Sequence, residues 1–410
     1  MATSWVSSLD GITPLNRFSN PFPTGLTPAL GAAGGLLTGV GGALGATSRD
    51  GAFDRTARVG YVQQWNFTVQ RTLPGNLVLQ LSYIGNKGTD LTDGAGFEND
   101  QLPPADMTLG NALLQSVPNP FYGVIQNGAL AAATTTRGQL LRPYPQYTRV
   151  WDFRPAAASS IYHGFSAQLE KRYARGIQFL IAYTNGKCID DSSAETDDSG
   201  LAAAGAHQNF YDRRGDRAVS LQDVAQRLVF SSVMELPFGR GRSIGSNWNH
   251  FTDAILGGWQ LNGILTFQSG LPLQIINASD NSNAFGGGQR PNVSGDPNLP
   301  NDRSRQQKIT AWFNTSVFSQ PLPFTFGNGP RSLPTVRRDG AKNLDASLFK
   351  DVSVYKEGRA KLEFRAELFN CLNRTQFAAP GGSFGSSSFG VVSAQANTPR
   401  QIQLGLKILF

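Results

Sequence analysis

The sequence predicts an all-β fold: an antiparallel transmembrane β-barrel with long extracellular loops. Three observations carry that expectation. In the last ten residues, Ile402, Leu404, Leu406, Ile408 and Phe410 alternate with Gln401, Gln403, Gly405, Lys407 and Leu409. A strand therefore places an unbroken apolar set on one face, and two amides and a lysine on the other, as lipid outside and water inside require. Only 16% of the 410 residues are charged, while 46 Gly, 23 Pro and 26 Phe favour turns and strands over helices. Finally, short and long connections alternate along the chain, the arrangement of barrels with tight periplasmic turns and extended outer loops.

Residues 1–60 read as an extracellular loop region and residues 61–410 as the C-terminal part of the barrel. Residues 1–20 contain Asp10, Pro14 and Asn16 and have no basic start followed by an apolar core, so no signal peptide is expected there. Residues 29–46 carry the GxxxG spacing of Gly31, Gly35 and Gly39. Glycine costs about 1 kcal/mol per residue in a helix, which favours a loop.

The first hairpin pairs Tyr61–Arg71 with Leu77–Tyr83 around Leu73-Pro74-Gly75-Asn76, with Trp65, Phe67 and Val69 sharing a face with Leu77, Leu79, Leu81 and Tyr83. A second turns at Ala174-Arg175-Gly176, between Phe165, Ala167, Leu169 and Ile177, Phe179, Ile181, Tyr183. A looser pair joins Leu228–Leu236 to Trp259–Phe267 through Pro237-Phe238-Gly239 and a linker. The fourth pair runs from Asn343 to Tyr355 and from Lys361 to Leu372, turning at Lys356-Glu357-Gly358. On its second strand Leu362, Phe364, Ala366 and Leu368 oppose Glu363, Arg365 and Glu367, suiting lipid on one side and a water-filled lumen on the other. Residues 147–153 are a further strand or an extension above the membrane. Trp65, Tyr83, Tyr183 and Trp259 are candidates for the interfacial girdles.

Alternation alone also fits a surface or secreted β-sandwich adhesin. The connections 91–146, 190–225, 271–340 and 373–399 separate the two readings, because loops this long are uncommon in compact soluble domains. With these loops outside, the visible membrane strands number about nine, or ten if residues 147–153 are counted. A count of nine is odd, where bacterial barrels are even, and points to an incomplete barrel.

The net charge of +7 is scattered and no nucleic-acid module is present, so a nucleic-acid partner is not expected. No G-x-S-x-G elbow or P-loop occurs, and His163, His207 and His250 fall on a strand, an outer loop and a periplasmic linker. No enzyme and no cofactor are expected. Cys188 and Cys371 lie about four strands apart, roughly 19 Å, against the ~7 Å a disulfide tolerates.

Two clusters are candidate sites. Asp190, Asp191, Glu195, Asp197 and Asp198 place five carboxylates in one outer loop. Hard oxygen ligands of this kind suit calcium, although the spacing is not that of an EF-hand and a solvated acidic loop is the plainer reading. Residues 271–340 carry Arg290, Arg303, Arg305, Lys308, Arg331, Arg337 and Arg338 against four aspartates. Of these, Arg303, Arg305, Lys308, Arg331, Arg337 and Arg338 form the anion-binding candidate, again with a solvated loop as the plainer reading.

Several segments together resemble the C-terminal barrel region of Oar-like TonB-dependent receptors. They include Tyr61-Val62-Gln63-Gln64-Trp65-Asn66, Tyr83-Ile84-Gly85-Asn86-Lys87-Gly88, Tyr162-His163-Gly164-Phe165, Glu235-Leu236-Pro237-Phe238-Gly239, Gly257-Gly258-Trp259-Gln260-Leu261, Trp312-Phe313-Asn314 and Phe364-Arg365-Ala366-Glu367. The resemblance implies residence in the outer membrane among lipid and lipopolysaccharide. It also implies that the terminal strand Ile402, Leu404, Leu406, Ile408, Phe410 is read by the barrel-assembly machinery. Ligand uptake would be energised by a TonB complex acting through an N-terminal part. No plug, TonB box or signal peptide is recognisable in these residues, so a C-terminal fragment of such a receptor, or a gene remnant, is the expectation.

Overall fold

A computed structural model describes residues 12–13, 19–20, 22, 40–44, 58–94, 96–126, 128–152, 155–193, 207–353 and 361–409. Glu195, Asp197, Asp198, Phe410 and the turn at 356–358 lie outside the described residues, as does most of 1–60.

Nine long strands form one meandering antiparallel sheet in sequence order: β1 (Tyr61–Leu73), β2 (Leu77–Thr92), β3 (Ala156–Ala174), β4 (Ile177–Asp190), β5 (Gln226–Glu235), β6 (Trp259–Gln268), β7 (Lys342–Ser353), β8 (Lys361–Phe369) and β9 (Gln401–Leu409). A two-residue segment, Ala218–Val219, adds to β4 as a tenth member. The path ends at β1 and β9, which are not paired to each other.

Register explains why the alternation was legible. Val69, Leu81, Ala167, Tyr183, Leu228 and Phe267 stand side by side across six strands. One residue away, Thr68, Ser82, Ser166, Thr184, Arg227 and Gln268 form an adjacent row on the opposite face. The same division holds at the other end: Leu261, Leu348, Ala366 and Leu404 share one face, and Asn262, Ser347, Glu367 and Gln403 the other. Phe67, Val69, Phe165, Phe267, Leu404 and Leu406 are exposed on the apolar face. A continuous apolar surface of this extent is not tolerated by a soluble monomer, and in a membrane it is the face that meets lipid.

Turn chemistry fixes the register at the short ends. Between β3 and β4, Ala174 pairs with Ile177, leaving Arg175 and Gly176 as a two-residue turn with φ of 54° and 79°. Those left-handed values match the strand twist. Glycine also makes room for aromatic rings within the wall. The Trp65 ring lies over Gly85, where a Cβ would come within 2.2 Å of it. Trp65 Nε1 donates to Tyr83 Oη (3.4 Å), and Tyr83 Oη lies 2.8 Å from His163 Nδ1. These three aromatics form one polar-tipped cluster on the lipid face, where two of the predicted girdle residues meet.

The long connections are folded rather than loose. Leu273, Ile275, Phe313, Phe318, Leu333 and Val336 form one buried cluster, with Phe384 and Phe389 packed against it. Leu102, Met107, Leu113 and Ala284 form a second. These clusters join residues far apart in the chain into a cap over the outer strand ends. Residues 149–152 belong to this cap. Arg149–Asp152 pairs with Phe97–Glu98 and with Ala43–Leu44 in a separate three-stranded sheet, so the segment is an extension above the membrane rather than a barrel strand. The linker after β5 contains a helix that the alternation did not suggest, α1 (His250–Leu256), capped by the Asn249 side chain. Cys188 on β4 and Cys371 after β8 are unpaired and separated by the expected four strands.

Candidate functional site

A cavity of about 870 Å³ opens in the cap between residues 297–312, 335–342 and 373–377. It is within the usual size of a small-molecule site. Its floor is set by helix α2 (Arg305–Thr310), which starts at a capping box between Ser304 and Gln307. Five of the six residues of the anion-binding candidate line it: Arg303, Arg305, Lys308, Arg337 and Arg338. Lys342 and Arg374, which lie outside that candidate, join them from the outer start of β7 and the segment after β8. Asp339 is the one carboxylate on the wall among the described residues.

The partners of these cations divide them. Arg337 Nη2 is held 2.6 Å from Asp223, and Arg374 lies 3.4 Å from Asp339. Arg303 spends its guanidinium on the carbonyls of Pro300, Ala311 and Trp312, which shapes the loop. Lys308 donates to the Asn301 carbonyl at 2.7 Å, and Arg305 lies over the Phe377 ring, 5.4 Å from its centroid. Arg338 Nε is buried without a hydrogen-bond partner among the described residues, a state that costs about 1–3 kcal/mol. Arg303, Arg305, Lys308, Arg338 and Lys342 form no ion pair with a carboxylate among the described residues. The wall therefore carries an excess of positive charge together with Trp312 and Phe377, whose rings meet edge to face at 6.0 Å. Such a surface holds an anion by charge-assisted hydrogen bonds.

Arg331 is elsewhere. Its side chain is 0% exposed and is paired with Asp190, while Nε donates to the Asp216 carbonyl at 2.8 Å. Arg290 is likewise buried against Asp216. The solvated-loop reading of 271–340 is corrected at these two residues: their guanidinium groups bolt the loop to the outer end of β4 and to segment 207–217. The acidic candidate is engaged by the same bolt. Asp190 accepts from Arg331 and Ser193, and Asp191 accepts from Ser159 at 2.7 and 2.8 Å and faces Arg213 at 3.8 Å. His207 completes the network, bridging Asp93 and Asp216 at 2.6 Å each. Its pKa is raised: burial alone would keep the ring neutral, but the hydrogen bonds and charges of the two carboxylates outweigh it. The same contact with His207 overcomes burial at Asp93 and lowers its pKa. His163 and His250 lie apart, on the lipid face of β3 and at the start of α1. Among the described residues no group of three or more His, Cys, Asp or Glu is arranged to hold a metal ion.

Sequence reasoning missed Asp93, His207, Asp216 and Arg290 as a unit. No local spacing announces them, since His207 and Asp93 are 114 positions apart.

Two further cavities lie where the cap meets the sheet. One, about 530 Å³, is lined by Asn86, Thr184, Arg227 and Gln268 together with Asp223. The other, about 430 Å³, is lined by both Asp223 and Arg337.

The fold and its polar-in, apolar-out wall define an outer-membrane barrel. The family model described as "Outer membrane beta barrel domain" matches residues 1–403, and the chain belongs to that family. Its location is the bacterial outer membrane. No curated protein matches the sequence. Solved structures that are similar to it include the outer membrane transporter YddB from Escherichia coli, at 10% identity and a TM-score of 0.42, over 86% of this chain and 33% of that one. The ferripyoverdine receptor of the Pseudomonas aeruginosa outer membrane is similar at 11% identity and 0.35, over 85% and 27%. The FrpB iron transporter from Neisseria meningitidis is similar at 11% and 0.36, over 87% and 32%. The chain spans about a third or less of the length of these structures.

Proposed function

We propose that the chain is the C-terminal barrel portion, residues 61–410 with 1–60 as an outer connection, of an Oar-like TonB-dependent receptor. Its role in the intact protein is non-enzymatic ligand uptake across the outer membrane. The observation that carries this reading is the pair of adjacent rows, Val69 to Phe267 facing lipid and Thr68 to Gln268 facing water. Among the described residues the outer edges of β1 and β9 have no neighbour, which supports a barrel that other strands complete, because an open edge of this length invites pairing. Partners on this reading are lipopolysaccharide, the barrel-assembly machinery acting on Ile402 to Phe410, and a TonB complex reached through an N-terminal part.

Outer-membrane fractions from cells expressing the chain test the barrel directly. Heat-modifiable mobility on a denaturing gel supports it; recovery as a detergent-free soluble monomer overturns it in favour of a surface β-sandwich adhesin. Uptake is tested in a deletion strain offered labelled oligosaccharides, peptides and ferric chelates. Accumulation of all of them at the wild-type rate removes the transport role.

A further inference from the structure

We propose that the basic cavity of the cap binds a polyanionic saccharide, a sugar carrying several sulfate, phosphate or carboxylate groups. This names the ligand class for the uptake reading and rests on that reading only for the passage of the bound sugar across the membrane. Charge favours an anion: Arg305, Arg338 and Lys342 line the cavity with no carboxylate partner among the described residues. A single small anion would satisfy one of these groups and leave most of the 870 Å³ to water. The rest of the wall has the chemistry of sugar recognition. Trp312 and Phe377 supply apolar ring surface for the C–H faces of a pyranose, and Asn301, Asn373 and Thr375 supply neutral amide and hydroxyl groups for its own hydroxyls. A purely apolar ligand is disfavoured, because it would strand the cations without solvent or partner.

The capping geometry makes the site built rather than accidental. Arg303 and the Ser304–Gln307 capping box hold residues 300–312 in place, and Trp312 Nε1 donates to the Arg337 carbonyl at 2.8 Å. Segments 297–312 and 335–342 are thereby fixed to each other across the cavity.

Two sources offer this ligand: phosphorylated sugars of lipopolysaccharide in the same leaflet, or a soluble anionic oligosaccharide. The experiment titrates the full chain, folded in detergent micelles, with sucrose octasulfate by calorimetry, beside uncharged sucrose and inorganic sulfate. Binding of the octasulfate that weakens with added salt, with no heat from sucrose and much weaker binding of sulfate, is expected. Arg338→Gln and Arg305→Gln should each weaken it about tenfold, with heat-modifiable mobility unchanged. Arg305 and Lys342 are exposed, so the Arg305→Gln/Lys342→Gln pair tests the site even if Arg338→Gln fails to fold. Equal affinity in that double variant, or sulfate binding as tightly as the sugar, overturns the proposal. Competition by lipopolysaccharide assigns the site to the membrane leaflet, and its absence assigns it to a soluble sugar; both outcomes keep the ligand class. Since the titration needs no energised membrane, its failure leaves uptake standing, and lost uptake with intact binding removes uptake alone.

Discussion

His207 Nε2 lies 2.6 Å from Asp93 Oδ2, across 114 positions of sequence, with both side chains almost fully buried. Asp216 on the other ring nitrogen and Arg290 behind it make the arrangement a chain of alternating charges. Against the opposing effect of burial, the hydrogen bonds and charges of the two partners raise the pKa of His207, and contact with His207 lowers that of Asp93. The histidine's stabilisation is complete below its ordinary value of about 6.5 and is lost as pH rises through its raised value. The contribution of Asp93 is present above about 4 and is lost as pH falls through its lowered value.

The contribution of this network to the cap should therefore be greatest in the interval between those two limits. His207→Gln removes the charge and leaves two buried carboxylates facing each other, at a cost of about 3–5 kcal/mol. Limited trypsin digestion checks it, because Arg213, Arg214 and Arg217 sit in the segment the histidine pins. Cleavage there should accelerate in the variant, and wild-type resistance at those sites would rule out a structural role for the network.

Arg331 and Asp190 give a second test, through a double-mutant cycle. Arg331→Met alone strands the Asp190 carboxylate in the cap and should destabilise by about 3–5 kcal/mol. Asp190→Leu added to it removes the stranded charge and should recover most of that loss. Thermal unfolding of the single and double variants provides the measurement; strictly additive losses would show that the two groups are not coupled.

The sheet was readable because period-two alternation is local. Each of Leu362, Phe364, Ala366 and Leu368 announces its face from its neighbours, and cross-strand register then adds rows without new information. The cap offers no such period. Arg331 and Arg338 differ in sequence only by position, yet one is buried against Asp190 and the other leaves its Nε without an acceptor, because segments more than 100 residues away supply the carboxylates. The basic cavity was partly legible, since five of its cations fall between 303 and 338. Lys342 and Arg374 were not, because they enter from the start of β7 and from beyond the end of β8. Helix α1 carried one cue, Asn249 at its N-cap, inside a linker too short to show helical periodicity.

Asp100 should give the cap an acid-favoured component of stability. Burial raises its carboxyl to about 6, against the opposing pull of Arg142. Arg142 Nη2 approaches within 2.8 Å, but off the hydrogen-bond direction, so neither that nitrogen nor Asp100 Oδ2 makes a directed bond. A raised carboxyl pKa means stability that is present below about 4 and declines as pH rises through 6, by up to about 3 kcal/mol. Asp100→Asn should flatten cap stability between those limits while keeping the Tyr144 amide bond, which is 2.8 Å in the wild type. Hydrogen exchange of segment 98–103 across that range measures it, and an unchanged slope in the variant would assign the pH dependence to another group.

Leu404 and Gln403 test which face of β9 meets lipid. Leu404 stands beside Ala366 on the apolar face and is 67% exposed, while Gln403 pairs with Glu367 on the other. An arginine on the lipid face costs about 2–4 kcal/mol near the bilayer midplane, whereas one on the lumenal face stays in water. Leu404→Arg should therefore lower the folded fraction in lipid vesicles. Gln403→Arg should leave it unchanged, or raise it slightly through the Glu367 carboxylate. Heat-modifiable mobility after refolding into vesicles reads both. Equal loss in the two variants would mean that β9 has no lipid side, and the apolar face would then have to be covered by protein.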